Sequence, residues 1–200
     1  LNALPFERFG RYSVDVQVDG TTVASIDSPT SYTLSNAVYQ GGTATLNYQT
    51  DGKLDLGSAM HTFTVNAVSA NGTALSPLLP TLNISALTVG TGSAGFTKAG
   101  DGLLQIGAQN TFPGGVNVTG GGLIIGGSST PSTVGSILTS GPLGTGTLSM
   151  APNTTLISTA ANTLANKVVF NGDITFNGSP NLTLNGEATF GSPATNVTVA

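Results

Sequence analysis

The last part of this chain is cut into apolar strands too short for most β architectures. From about Leu82 onward, runs of three to five residues recur, with Gly, Asn or Pro in nearly every gap. The expected strands are Ala86–Val89, Leu103–Ile106, Val116–Val118, Leu123–Ile125, Thr147–Met150, Thr155–Ser158, Lys167–Phe170, Ile174–Phe176, Leu182–Leu184, Ala188–Phe190 and Val197–Val199. Strands of this length cannot build a large two-sheet sandwich. They suit a coil in which each short strand stacks on its counterpart in the coil below, about 4.8 Å away. The spacing predicts a parallel β-solenoid over residues 84–200, with four or five coils of some 25–30 residues. Val116, Val118, Leu123, Ile125, Leu148, Met150, Val169, Ile174, Phe176, Leu182 and Leu184 are its expected core.

Composition supports the same architecture. Only 7% of residues are charged, while Gly alone accounts for 28 of the 200. An average soluble domain carries about 25% charged residues. Stacked coils place like side chains above one another, so repeated charges would repel, whereas Asn, Ser and Thr can form hydrogen-bonded ladders. Disorder needs low hydrophobicity and high net charge, and this chain has a net charge of −4 and a mean hydropathy of +0.21. The absence of Cys excludes disulfides, thiolate metal sites and a Cys nucleophile. Five Lys plus Arg give no basic patch for nucleic acid. No apolar run reaches the ~18 residues of a membrane helix.

The first part of the chain reads differently. Glu7, Arg8, Arg11, Asp15, Asp19, Asp27, Asp51, Lys53 and Asp55 crowd into the first 55 positions. Residues 1–10 are expected as a linker. Ser13–Val18 alternates polar and apolar, Asp19-Gly20 reads as a tight turn, and Thr21–Ile26 as the returning strand. Thr43–Tyr48 and His61–Ala67 continue the pattern, and Asn71-Gly72 marks another turn. Such spacing predicts a β-sandwich over residues 11–80. Residues 56–72 resemble the last strand pair of bacterial immunoglobulin-like modules.

Residues 95–126 carry a denser pattern. Phe96, Lys98, Gly100, Gly102, Leu104, Ile106, Gly107, Asn110, Phe112, Gly114, Gly115, Val116, Val118, Gly121 and Leu123 fall at set spacings. This stretch resembles one autotransporter-associated β-strand repeat, which reads L-x-K-x-G-x-G-x-L-x-L-x-G-x-N-x-Y-x-G-G-T-x-V-x-x-G-x-L. Phe112 replaces the usual Tyr, Pro113 a Thr or Ser, and Val116 a Thr. Residues 143–150, 163–170 and 181–186 resemble the segment between such repeats. The resemblance implies a right-handed parallel β-helix in a large secreted or surface-exposed passenger of a Gram-negative bacterium.

Chemistry-bearing motifs have bland readings. Gly90-Thr-Gly-Ser-Ala-Gly95 spells G-x-G-x-x-G, but the dinucleotide fingerprint needs a helix next. Here Phe96–Gly102 follows, with two Gly and a strand beyond, so a turn is expected. His61, the only His, shares parity with Phe63 and Val65 and is expected at the sandwich rim rather than in a Ser–His–Asp triad. Lys98 and Asp101 are expected in a turn, with the Lys solvated and the Asp stabilising the turn. A polysaccharide-acting β-helix enzyme needs convergent acids. Asp101, Asp173 and Glu187 are the solenoid's acids, and Asp173 and Glu187 are spaced to fall on adjacent turns. A Lys–Asn isopeptide in the first domain would have to use Lys53. Asn-x-Ser/Thr sequons at Asn71, Asn83, Asn117, Asn153, Asn177, Asn181 and Asn196 fit ladder formation in an Asn- and Thr-rich chain.

The expected function is therefore a structural stalk or spacer in a bacterial adhesin or autotransporter passenger. No catalytic, cofactor or metal residues are expected. The alternative is a self-assembling extracellular fibre, matrix or surface-layer subunit, and a polysaccharide-acting enzyme comes third. Leu1 is not Met, and Gly191–Ala200 stops in strand pattern. Both ends are accordingly expected to be cuts in a longer or processed chain. The segment Ala188–Ala200 is expected to stack on further chain or on a neighbouring copy, and a host or cell-surface ligand is a further expected partner.

Overall fold

The computed structural model describes residues 53–67, 80–178, 180–191 and 196–200 in full. It adds the backbone of the strands Ser13–Val18, Thr21–Asp27, Ala44–Leu46, Ser69–Ala70 and Thr73–Ala74. Among the described residues there is no helix. Two long parallel sheets run side by side along the chain.

The first sheet stacks Met60–Thr64, Gly95–Ala99, Gly115–Val118, Leu148–Met150, Val168–Phe170 and Ala188–Phe190. The second stacks Ala44–Leu46, Leu82–Ile84, Leu103–Ile106, Gly122–Ile125, Thr154–Ser158, Ile174–Asn177 and Val197–Val199. A third face carries two shorter parallel pairs, Lys53–Asp55 with Leu87–Val89 and Asn162–Leu164 with Leu182–Leu184. The chain visits second sheet, third face and first sheet in turn, then steps to the next coil. The result is a solenoid-like parallel stack.

Alternation explains why the core forms inside this stack. Successive strand residues point to opposite faces, so every second residue turns inward, and parallel register piles these residues into columns. In the second sheet one column runs Leu82, Leu104, Leu123, Leu156, Phe176 and Val199. In the first sheet another runs Phe96, Val116, Leu148 and Val168. Leu104, Leu123, Val116 and Leu148 are fully buried. Burying a side chain of this size is worth about 1.5–3 kcal/mol. Between the sheets, Phe96 packs edge-on against Phe63 with ring centroids 5.0 Å apart, and Phe112 lies on its other side at 5.7 Å.

Several expectations need correction. Most coils use 19–23 residues rather than 25–30, because three faces of short strands are joined by corners of only a few residues, such as 100–102 between Ala99 and Leu103; the coils from Ala44 to Leu82 and from Leu123 to Leu156 are longer, at 38 and 33. Val169 faces outward and is only half-buried; Val168 and Phe170 take the inward positions, fixed by Leu148 and Met150 beneath them. Phe176, Leu182 and Leu184 are also only half-buried, since they lie near the open end of the stack. The rest of the expected core is buried.

The parallel ladder also starts earlier than residue 84. Ala44–Leu46, Lys53–Asp55 and Met60–Thr64 lie in the segment expected as a sandwich, yet each pairs in parallel with a later solenoid strand. The remainder of that segment falls largely outside the described residues. Within that segment Ser13–Val18 pairs antiparallel with Thr21–Asp27, and Ser69–Ala70 with Thr73–Ala74.

The coil that follows Ile125 is enlarged. Between Ile125 and Leu148 the chain leaves the third face and returns, with antiparallel bridges joining Thr130 to Ser140 and Asn110 to Gly141. Ser129 N–H donates to the Thr163 carbonyl of the next coil at 2.8 Å. The loop is thus wedged between its neighbours, and its tip leaves Val134 and Ile137 exposed.

Candidate functional site

Three places combine chemistry with position: a buried lysine at a glycine corner, the bracketing asparagines of the third face, and the open end of the stack.

Lys98 belongs to the strand Gly95–Ala99, not to a turn. Its neighbours in register are Phe63 and Val118, both inward-facing core residues. Lys98 therefore points inward and is 0% exposed, which overturns the expectation of a solvated side chain. Its Nζ donates to the carbonyls of Gly100 and Gly102, each at 2.5 Å, and of Gly120 at 2.9 Å. The first two acceptors belong to the corner that follows Lys98; the third belongs to the same corner one coil on. Gly100 and Gly121 have positive φ, 78° and 60°, which favours glycine at these tight corners. Burial pushes the Lys98 amine down from 10.5 to about 8, and the Asp101 charge opposes that shift. The signal was present in the sequence: Phe96-Thr-Lys98 has the same parity as Val116-Asn-Val118.

On the third face, Asn110 is fully buried; its Oδ1 accepts the Thr88 N–H at 2.7 Å and its Nδ2 donates to the Pro142 carbonyl at 2.8 Å. Asn166 Nδ2 donates to the Gly144 and Gly146 carbonyls, and its Oδ1 accepts from the Ser129 hydroxyl. Each of these side chains supplies hydrogen bonds where a third-face strand is interrupted. Among the described residues every buried side-chain polar atom has a partner.

At the far end, Ala188–Phe190 and Val197–Val199 are the outermost strands of their sheets and pair on one side only. Phe190, Val197 and Val199 are 58%, 45% and 81% exposed. Phe190 stacks on Phe170 with centroids 5.5 Å apart, so the aromatic packing of the core runs out to the open surface. A cleft of about 430 Å³ opens here between the second sheet and third face, lined by Leu156, Phe176, Leu182 and Val199 among others.

The acids are kept apart. Asp101 and Asp173 sit at the same type of corner but three coils from each other, roughly 14 Å at one strand spacing per coil. Paired glycosidase carboxylates lie about 5–9.5 Å apart. Glu187 lies at a different corner and makes an exposed ion pair with Lys167 at 3.1 Å. His61 lies in the strand Met60–Thr64, half-buried, with Nε2 2.9 Å from the Leu56 carbonyl. It stands in the parallel ladder, not at a sandwich rim. Lys53 is exposed on the third face. The Gly90–Gly95 motif forms a turn, with Ala94 N–H donating to the Thr91 carbonyl at 2.9 Å, and runs into the strand Gly95–Ala99. Of the sequon residues, Asn71 lies outside the described residues, and Asn117 stacks between Thr97 and Ser149 in an outward row.

Among the described residues no helix is long and apolar enough to cross a membrane. Compared with known protein families, curated proteins and solved structures, the chain matches none.

Proposed function

We propose that this chain is a non-catalytic stalk or spacer segment of a large bacterial surface protein, of the adhesin or autotransporter-passenger kind. The observation that carries this reading is the unbroken inward column from Leu82 to Val199. A stack whose every coil continues the last converts chain length directly into reach. The outward rows support it: Thr97, Asn117 and Ser149 follow one another on the first sheet, neutral and small, so repetition adds no self-repulsion. The resemblance of residues 95–126 to an autotransporter repeat supports placement on or outside a Gram-negative cell. Small-angle scattering of the purified chain tests the idea. An elongated monomer with a rod-like cross-section is expected; a compact sphere, or hydrolysis of a polysaccharide panel, sinks it.

A second reading is a subunit of an extracellular fibre. The in-register parallel stack favours it, because each coil pairs with the next through backbone edges that a further copy could also supply. Unpaired strand edges are templates for pairing, and a head-to-tail contact that does not close yields a filament. Filaments under electron microscopy at high concentration would select this reading over the monomeric spacer.

A further inference from the structure

The corners at 100–102 and 119–121 pose a problem that their own side chains do not solve. The carbonyls of Gly100, Gly102 and Gly120 converge on one buried point. All three are acceptors, so they cannot satisfy one another, and only the Gly102 carbonyl has a backbone partner, the Gly122 N–H at 3.3 Å. The corner after Met150 solves its problem locally, because the Thr154 hydroxyl donates to the Ala151 carbonyl at 2.7 Å. Gly100, Gly102, Gly120, Gly121 and Gly122 have no side chain to donate, the Asp101 carboxylate only accepts, and the Thr119 hydroxyl is spent on the Lys98 carbonyl at 3.2 Å. The inward column that ends here otherwise holds Phe63, Val118 and Met150, which offer no donor.

We propose that the three carbonyls form a binding site for a primary ammonium group, filled in this chain by its own Lys98, and that the ammonium locks the corners of two successive coils. The match is one of number and geometry. An ammonium carries three N–H donors and no acceptor, and three carbonyls face it from two corners. Two lie in the corner that Lys98 leads into, and the third lies one coil on, with Gly120. The Lys98 carbonyl completes the tie by accepting the Thr119 N–H at 2.9 Å. The stem of Lys98 contributes core volume, and its head contributes the fastening.

Chemical rescue in the full chain separates these two contributions. Lys98→Ala removes the equivalent of propylammonium and should lower the melting temperature by about 5 °C or more. Excess propylammonium, present during refolding, should restore part of that loss by binding the folded state. The wild type should not respond, and neither 1-propanol nor tetramethylammonium should rescue. Lys98→Met, which fills the stem without donors, should remain destabilised and ignore the amine. Equal stability of Lys98→Met and wild type, or rescue by 1-propanol as good as by the amine, overturns the proposal. If Lys98→Ala does not fold alone, folding on addition of propylammonium supports it, and failure to fold in its presence overturns it.

Discussion

The carboxylate of Asp173 holds Asn196 by both backbone and side chain: Oδ1 accepts the Asn196 N–H at 2.8 Å, and Nδ2 of Asn196 lies 3.0 and 3.1 Å from the two oxygens. Asn196 immediately precedes the outermost strand, Val197–Val199, so this clasp anchors the entry to that strand. Asp173→Ala should speed amide exchange at Val197 and Thr198 while leaving Leu123 and Leu156 unchanged. Equal protection in the two proteins would show that the ladder alone holds the strand.

The same clasp gives a pH dependence. The backbone and side-chain bonds from Asn196 hold the Asp173 carboxyl below its ordinary 3.8. A carboxyl lowered in the folded state supports the fold above its unfolded pKa and loses that support as pH falls through the folded value. Protection of Val197 and Thr198, corrected for intrinsic exchange, should therefore be constant near neutrality and decline below 3.8. Asp173→Ala should abolish that decline.

Lys98 titrates in an alkaline window, with the same sign. The folded chain releases its proton near 8, whereas the unfolded chain keeps it to 10.5. Between these values the unfolded state binds more protons, so stability rises with pH, by at most about 1.4 kcal/mol per pH unit. Below pH 8 this contribution is flat. The neutral amine keeps two N–H donors and sheds the cost of burying the charge, so urea midpoints of wild type and Lys98→Met should diverge from pH 8 to 10, in favour of wild type. Parallel curves would contradict the assignment.

Position along the stack should decide the cost of losing an aromatic ring. Phe96 is buried between Phe63 and Phe112, so Phe96→Ala should cost about 3–5 kcal/mol. Phe190 touches Phe170 but faces the open end, so Phe190→Ala should cost less than about 1 kcal/mol. Equilibrium denaturation of the two variants gives the comparison directly.

Asn110 should be intolerant of small chemical changes. Asn110→Ala orphans the Thr88 N–H and the Pro142 carbonyl and should cost about 2–4 kcal/mol. Asn110→Asp keeps the acceptor for Thr88 but turns a carboxylate toward the Pro142 carbonyl. It should be less destabilised in acid, where the protonated group can donate, than at neutral pH. Thermal melts at pH 4 and 7 would test the reversal.

Where strands alternate cleanly, their inward residues were legible in the sequence. Val116/Val118, Leu123/Ile125 and Leu148/Met150 fall where alternation puts them. Val168-Val169 was ambiguous because both residues are β-branched, and only the column above Leu148 and Met150 decides between them. Lys98 was misplaced because a charge beside a Gly-rich turn reads as solvated, although its parity with Phe96 points inward. The third face was hardest to read. Asn110, Phe112 and Leu143 are fully buried there without a strand pattern, held by side-chain brackets that no periodicity announces. Nothing in the local sequence around Asp173 pointed to Asn196 either, since the contact spans one whole coil.

The enlarged coil has a practical corollary. Across it the columns continue without a slip, Leu123 to Leu156 and Val116 to Leu148. The axis therefore does not register how much chain leaves at that corner. A foreign peptide grafted between Val134 and Leu138 would ride outside the stack, its ends fixed by the Thr130–Ser140 bridge. The scaffold beneath would need no retuning, which makes this corner a natural mount for display.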